Sequence, residues 1–500
     1  MQPGQDLSHQ EVLRRGRARR LPAARDRRKG PRPALLARAV AVSVPDALLE
    51  KLCAAVGSPN VLTGIELSPY VVEGRTPEAA VFPASVEEVA AVIALAAEAG
   101  MPVTPWGGGT AASVGLPAAR SGLVLGLRRL GRLLDHEPGD LTATVEAGMT
   151  IAAFQAVLRG RGQWMSLDPA DADRATVGGV LATNAYGPRR HLYGTARDLL
   201  IGVTVVTADG AVVKGGGKVV KNVAGYDLPK LFIGSYGTLG VIVEATVKLR
   251  PLPDQEELVG VRFDCLKDAG AAVRSIMASD LIPNAIELLD ASATTGAGVA
   301  GSARGVGTTP GGGPSASPAP TATLVVGFDG VREQVDWQRA ELARLMGPLG
   351  AHDVQSLEAR VWPRLATAAR AAVPLTAAVM VFAVLPSQVA ETMEQGAGMA
   401  RARGLHAAWA AHAGVGVVRA ALAADAVPKK PAAIAAVLAE WREMARAGGG
   451  HATLEWAPLS VKSQIPVWDD PGAAGRIMER IKAQLDPRNI LNRGRFVAGI

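Results

Sequence analysis

Between residues 105 and 242 the chain gathers glycine into three stretches separated by strand-like segments: PWGGGTAASVG (105–115), TVGGVLATNAYGPRRHLYGTARD (176–198) and KNVAGYDLPKLFIGSYGTLGVI (221–242). Glycine lets backbone approach a ligand closely and takes up dihedrals closed to other residues, so a glycine loop at a strand end can cradle phosphate. One such run is as often a tight turn. Three of them within about 140 residues argue for one extended ligand wrapped by several loops.

The residues that follow the first glycines limit which phosphate site this can be. A P-loop needs Lys-Ser/Thr there to reach phosphate and Mg²⁺, whereas Gly109 is followed by Thr110 and Ala111. A Rossmann turn needs the glycines to open a helix that receives pyrophosphate, and Gly115, Pro117 and Gly122 leave no room for one. What remains is a loop between strands that offers backbone N–H groups to a diphosphate. In the second stretch, Gly178 and Gly179 allow close approach, and Thr176, Thr183 and Asn184 can hydrogen-bond a heterocycle or phosphate. Arg197 and Asp198 beside them read equally well as an ordinary ion pair. In the third, Gly234, Gly237 and Gly240 recur every three residues.

With 500 residues, 48% hydrophobic and 20% charged, the chain can bury a large core in two or three domains. Its net charge of +7 belongs to the head: residues 1–40 hold eleven Arg/Lys against three Asp/Glu. That run reads first as a disordered tail, otherwise as a targeting segment or an over-called start. No aromatic residue is interleaved with its arginines, so nucleic acid is not an expected partner. Cys53 and Cys265 are too few for an iron–sulfur cluster or a four-cysteine zinc site. The longest apolar run, 371–386, is shorter than the roughly 20 residues of a spanning helix and contains prolines, so a buried strand is predicted there. No signal-peptide stretch stands at the start; a cytoplasmic protein is expected, attached to a membrane only through partners.

Local patterns give an α+β order. A helix is predicted over 45–57, a strand at AAVFP (79–83), and a helix capped by Ser85 with Glu88 at the capping-box spacing. That helix places Val89, Val92, Ile93 and Ala96 on one face and stops at Gly100. Further strands are predicted at MPVTPW, SGLVLGL, LTATVEAG and 241–249, with a helix capped by Thr150 and a hairpin turned at Asp209-Gly210. Residues 165–199 show little periodicity and read as a long functional connection.

The order PWGGGT, TVGGVLATNAYGPRR, YGTARD, VVKNVAGYDLPKLFIGSYGTLGVI and finally LDPRNILNRGRF resembles the FAD-binding fold of the vanillyl-alcohol oxidase / p-cresol methylhydroxylase (PCMH) type. Within it, GPRRHLYGTARDLLIG and KNVAGYDLPKLFIGSYGTLGVI resemble the FAD-binding subunits of glycolate oxidases. The match covers roughly 75–254 and 455–500 and is weaker over 255–450. The organisation expected is therefore a basic disordered head (1–40), a helical segment (41–74), and a two-subdomain PCMH-type FAD-binding domain (75–254). An α+β cap for substrate (255–484), with a disordered insertion at 291–323, and a closing segment (485–500) that returns to the FAD domain follow.

The resemblance implies that Gly107, Gly108, Gly109, Thr110 and Gly115 hold the FAD pyrophosphate. It implies that Thr176, Val177, Gly178, Gly179, Ala182, Thr183 and Asn184 line the diphosphate and flavin, and that Gly240, Val241 and Ile242 give backbone contacts near the adenosine end. Asn492 belongs to the closing segment, which either packs beside the flavin or only seals the domain interface. Some relatives link FAD through a His or Cys near the first loop; residues 101–120 hold neither, so non-covalent FAD is expected.

Oxidation of a 2-hydroxy acid by a flavin needs a cation or metal for the carboxylate and a base for the hydroxyl proton. The resembled catalytic subunits supply histidines in a pattern like H-A-G-D-G-N-L-H. Here HAGVGVVRA (412–420) keeps His412 and lacks the acid, the asparagine and the second histidine. His406, six positions earlier, is a thin basis for a metal site, and no metal is expected. His412 as ligand or base, against a merely buried histidine, and Arg419 as carboxylate binder are the catalytic candidates. The function this implies is the FAD-binding subunit of a glycolate (2-hydroxy acid) oxidase or dehydrogenase complex that forms glyoxylate. A sister FAD subunit and an iron–sulfur subunit that takes the electrons would be its partners. The alternatives are a structural or relay subunit without turnover, and a stand-alone FAD-linked oxidase of another hydroxy acid such as D-lactate.

Overall fold

The computed structural model describes residues 44–118, 120–218, 227–299, 321–373, 375–423 and 431–500. The basic head, most of the 291–323 tract and the KNVAGY segment of the third glycine stretch lie outside them. The ends of that tract are regular: Ala291–Gly296 is helical and Ala322–Gly330 is a strand.

Two sheets carry the N-terminal half. In the first, three parallel strands, Ala79–Val81, Leu123–Gly126 and Val103–Trp106, are joined by the antiparallel Val61–Leu62. Helix Val86–Glu98 covers it with the face expected from the pattern: Val89, Val92, Ile93 and Ala96 are buried. Ser85 Oγ accepts from the Glu88 amide at 3.2 Å, while the Glu88 carboxylate turns to the Ala84 amide at 2.7 Å, one residue before the cap. The second sheet is antiparallel, in the order Leu133–Glu137, Thr142–Glu146, Val241–Lys248, Leu200–Val206, Val212–Gly216. Val241, Val243, Ala245 and Val247 point into its core and Glu244, Thr246 and Lys248 do not, which is the alternation of a strand with one face covered.

The connection at 165–199 is more ordered than its composition suggests. It forms three short helices, Val177–Thr183, Arg190–Tyr193 and Ala196–Leu199. Four to seven residues complete at most two turns, too few for a 3.6 period to show. Arg197 and Asp198 do not pair with each other. Asp198 closes a capping box on Thr195, and Arg197 donates to the Lys230 carbonyl at 3.1 Å.

The C-terminal half is built on one antiparallel eight-stranded sheet, ordered Asp353–Leu357, Gln255–Phe263, Ala322–Gly330, Ala285–Asp290, Ala407–His412, Val417–Ala423, Thr376–Ala383, His451–Trp456. Strand Thr376–Ala383 is the apolar run between prolines, and its core neighbours include Trp409 and Trp441. The chain then returns to the first sheet: the Val103 amide donates to Ile490 O at 2.8 Å and the Asn492 amide to Val103 O at 2.9 Å. Buried Lys482 locks that return through Asp486 (2.6 Å), Thr238 O (2.8 Å) and Leu491 O (2.9 Å). No helix among the described residues is long and apolar enough to cross a membrane.

Candidate functional site

The three glycine stretches converge. A cavity of about 910 Å³, mouth included, is lined by Gly107, Gly108, Gly109 and Thr110 from the first. Thr176, Gly178, Gly179, Ala182 and Thr183 come from the second, and Tyr236, Gly237, Gly240, Val241 and Ile242 from the third, with Asn492 and Arg495 closing it. Among the described residues none accepts a hydrogen bond from the amides of Gly108, Gly109, Thr110 or Ala111. Four such donors in succession form an anion-binding concavity suited to a diphosphate. The loop can sit there only as glycine: a Cβ on Gly108 would stand 1.7 Å from Arg174 O, and one on Gly107 2.2 Å from Thr176 Oγ1.

Some of the expected residues lie elsewhere. Gly115, with φ +82°, is packed against Arg495 O outside the lining. Val177 is buried in the core of the second sheet. Asn184 caps helix Val177–Thr183 in the left-handed conformation (φ 50°) and faces a neighbouring cavity.

That second cavity, about 1370 Å³ with its mouth, shares Thr110, Ala111, Val114, Gly179, Thr183 and Tyr236 with the first, so the two are contiguous. Its far side comes from the C-terminal sheet: Val379, Val381, Arg419, Thr453, Glu455 and Trp456. Arg419 and Glu455 stand on strands either side of Thr376–Ala383 and form a bidentate pair, Nε to Oε2 at 2.9 Å and Nη2 to Oε1 at 3.3 Å. Tyr236, at φ 54°, lines both cavities and stacks on Phe496 at 5.3 Å, with Trp468 edge-on. Burial first, then the Glu455 carboxylate, pushes its phenol up, so it stays protonated.

His412 lines neither cavity. It ends strand Ala407–His412 and is 4% exposed, with Nδ1 at 2.7 and 2.9 Å from the Glu287 carboxylate and its ring edge-on to Tyr186, which does line the second cavity. Burial, then the cations Arg419 and Arg190, push the imidazole down to about 3; burial pushes Glu287 well above the carboxylate range. The proton therefore rests on Glu287 and the pair is neutral. The placement does not match the expectation of a base or ligand. His406 immediately precedes the same strand at its other end, roughly 20 Å away by strand rise, exposed and bonded to Ser292. No cluster of three His, Cys, Asp or Glu in metal-binding reach occurs among the described residues.

Comparison with known proteins agrees with this geometry. Residues 77–216 match the FAD binding domain family and residues 252–496 the C-terminal domain of FAD linked oxidases. The chain thus joins an FAD binding domain to the C-terminal domain of FAD linked oxidases. It is 35% identical over 214 residues to glycolate oxidase subunit GlcD of Bacillus subtilis, covering 43% of this chain and 46% of the relative. It is 42% identical over 202 residues to the D-2-hydroxyglutarate dehydrogenase of Xanthomonas citri pv. viticola, covering 40% and 43%. The chain thus spans less than half the length of these curated relatives. In fold it is similar to p-cresol methylhydroxylase, with TM-score 0.71 and 18% identity over 90% of this chain and 96% of the other.

Its cofactor is FAD; among the described residues, neither cavity's lining includes a His or Cys. The sequence pattern missed Tyr236 and Glu455 as lining residues. Tyr236 stood inside a quoted motif, but Glu455 carried no signal beyond being one charge in an apolar strand.

Proposed function

We propose that the oxidoreductase oxidises a small 2-hydroxy acid to the 2-oxo acid in the second cavity. The observation that carries this is the Arg419–Glu455 pair in a cavity contiguous with the cofactor site. A 2-hydroxy acid carries its carboxylate and hydroxyl on adjacent carbons, and the pair offers a cationic donor beside an anionic acceptor. Glu455 occupies two of the five guanidinium N–H groups, so Arg419 keeps donors for the substrate carboxylate. A Glu455 oxygen takes the hydroxyl proton. Bound FAD supplies the hydride acceptor. Tyr236, as a protonated phenol between the two cavities, orients the substrate, and Trp456 and Trp468 exclude water from its far side.

The assignment of Gly107 to Thr110 to the pyrophosphate, and of Thr176, Gly178, Gly179, Ala182, Thr183 and Asn492 to the rest of FAD, belongs to the same reading. Support comes from the free amides and shared lining. A second reading keeps the glycolate oxidase complex: with two cysteines in 500 residues, electrons leaving FAD must pass to oxygen or to another protein, and an iron–sulfur subunit is one such acceptor. The test is anaerobic addition of glycolate, D-lactate or D-2-hydroxyglutarate to the FAD-loaded chain. Bleaching of the flavin absorbance in the chain alone supports the first reading; bleaching only after a sister subunit is added supports the second. A chain that bleaches with none, alone or in complex, refutes both.

A further inference from the structure

We propose that Lys462 is a cofactor-positioning residue: it holds the 107–116 loop from behind as an anion site and makes FAD retention depend on the C-terminal half being docked there. Lys462 ends helix Leu459–Lys462, and its side chain is wholly buried. Its Nζ donates to Ser113 O (2.5 Å) and Gly115 O (2.8 Å) and makes an ion pair with Glu73. All three ammonium protons are thereby used.

Arg495 takes the alternate carbonyls of the same loop, those of Ala112, Val114 (3.2 Å) and Leu116 (3.1 Å). Five consecutive carbonyl oxygens, from Ala112 to Leu116, are thus gathered on two cations drawn from the last forty residues. The consequence is electrostatic. Carbonyl oxygens carry partial negative charge, and any that turned into the cavity would repel a diphosphate. Tied to Lys462 and Arg495, they are turned away and neutralised, and the loop presents amides instead. Arg495 lines the cofactor cavity and can touch the ligand; Lys462 does not line it and acts only through the loop.

A plain interdomain ion pair would explain Lys462 only if Glu73 were its essential partner. Glu73 stands in the turn at 72–75 with φ 51°, and one of its carboxylate oxygens is buried without a partner. The geometry points the other way: two of the three donors serve the loop, and Glu73 balances the charge.

The two roles separate in one experiment on the full chain stripped of FAD. FAD affinity is read by quenching of flavin fluorescence, and the melting temperature of the FAD-free protein is read in parallel. Lys462→Met alone would bury Glu73 without a counter-charge, so the comparison is Glu73→Gln against Glu73→Gln/Lys462→Met. We expect Glu73→Gln to bind FAD within about threefold of the parent and the double variant to bind about tenfold or more weakly, the loss of charged hydrogen bonds, with FAD-free melting alike in the two. Equal FAD affinity in both variants, or an equal loss from Glu73→Gln alone, overturns the proposal. If the double variant does not fold, Lys462→Arg serves: the wider guanidinium in a closed slot must displace the loop, so FAD is released faster at unchanged FAD-free melting. An unchanged release rate overturns the proposal.

Discussion

The buried Glu287–His412 pair makes a pH prediction whose sign can be worked out from each partner. In the unfolded chain His412 gains a proton below about 6.5 and Glu287 loses one above about 4.5. In the native state His412 stays neutral down to about 3 and Glu287 keeps its proton to well above its ordinary range. As pH falls below 6.5, the unfolded chain takes up a proton on the histidine that the native pair refuses, which lowers stability. As pH rises above 4.5, the unfolded chain releases the glutamate proton that the native pair keeps, which also lowers stability. Between the two values the slopes cancel. The pair therefore gives a plateau at pH 4.5–6.5, with stability falling by about 1.4 kcal/mol per unit on either side. Arg190, Arg419, Asp168 and Glu455 face the pair and set how far each wing extends, without changing its sign. Urea denaturation followed by the fluorescence of Trp409 and Trp441, both in the C-terminal core, reads the unfolding of this half. Glu287→Gln/His412→Asn removes both titrations and should flatten the curve above pH 6.5 relative to the parent. The same slope in parent and variant would refute the assignment of a neutral, single-proton pair.

Three further outcomes are expected. Gly108→Ala puts a methyl group 1.7 Å from Arg174 O, so the loop must move at a cost of about 1–3 kcal/mol; flavin content after purification should fall while the far-ultraviolet circular dichroism is kept. Arg419→Met should lower kcat/KM for a 2-hydroxy acid roughly tenfold to hundredfold, the range for a hydrogen bond to a charged group, and leave flavin content unchanged, because Arg419 lies outside the cofactor cavity. Heat or acid precipitation should release all the flavin into the supernatant, measured by its absorbance; flavin carried down with the protein would contradict non-covalent binding.

Much of the fold was legible because its signals are local. The helix that starts at Ser85 announces itself by a cap, a 3.6-residue stripe and a terminal glycine, and the strand at 241–248 by strict alternation. The cofactor site was legible for a different reason. Where backbone itself is the binding surface, a Cβ is excluded, and glycine at 107, 108 and 109 leaves a mark in the sequence. Side-chain sites leave no such mark. His412 and Arg419 are seven apart on paired strands, yet one is sealed behind Tyr186 and the other opens on the cavity. Both stand on the same face of the eight-stranded sheet, so the difference is decided by what covers each. Glu455 meets Arg419 across Thr376–Ala383, a pairing set by strand order that no spacing along the chain reports. Lys462 reaches a loop about 350 residues earlier for the same reason.

Under the proposed function, the placing of two separate charge pairs on one face of this sheet has a chemical purpose. A site that must admit an anion cannot also hold an uncompensated carboxylate, yet it needs a carboxylate oxygen to take the hydroxyl proton. Pairing Glu455 with Arg419 inside the cavity meets both demands: the pair is neutral before substrate arrives, and the spare guanidinium donors meet the incoming carboxylate. Behind Tyr186, Glu287 and His412 share one proton and add no net charge to the field at the substrate. An alcohol without the carboxylate would leave half-buried Arg419 donors unmet, and sites built around such donors discriminate against ligands that lack the partner. Selectivity for acids over simple alcohols then comes from the guanidinium, and reactivity at the hydroxyl from the glutamate bound to it.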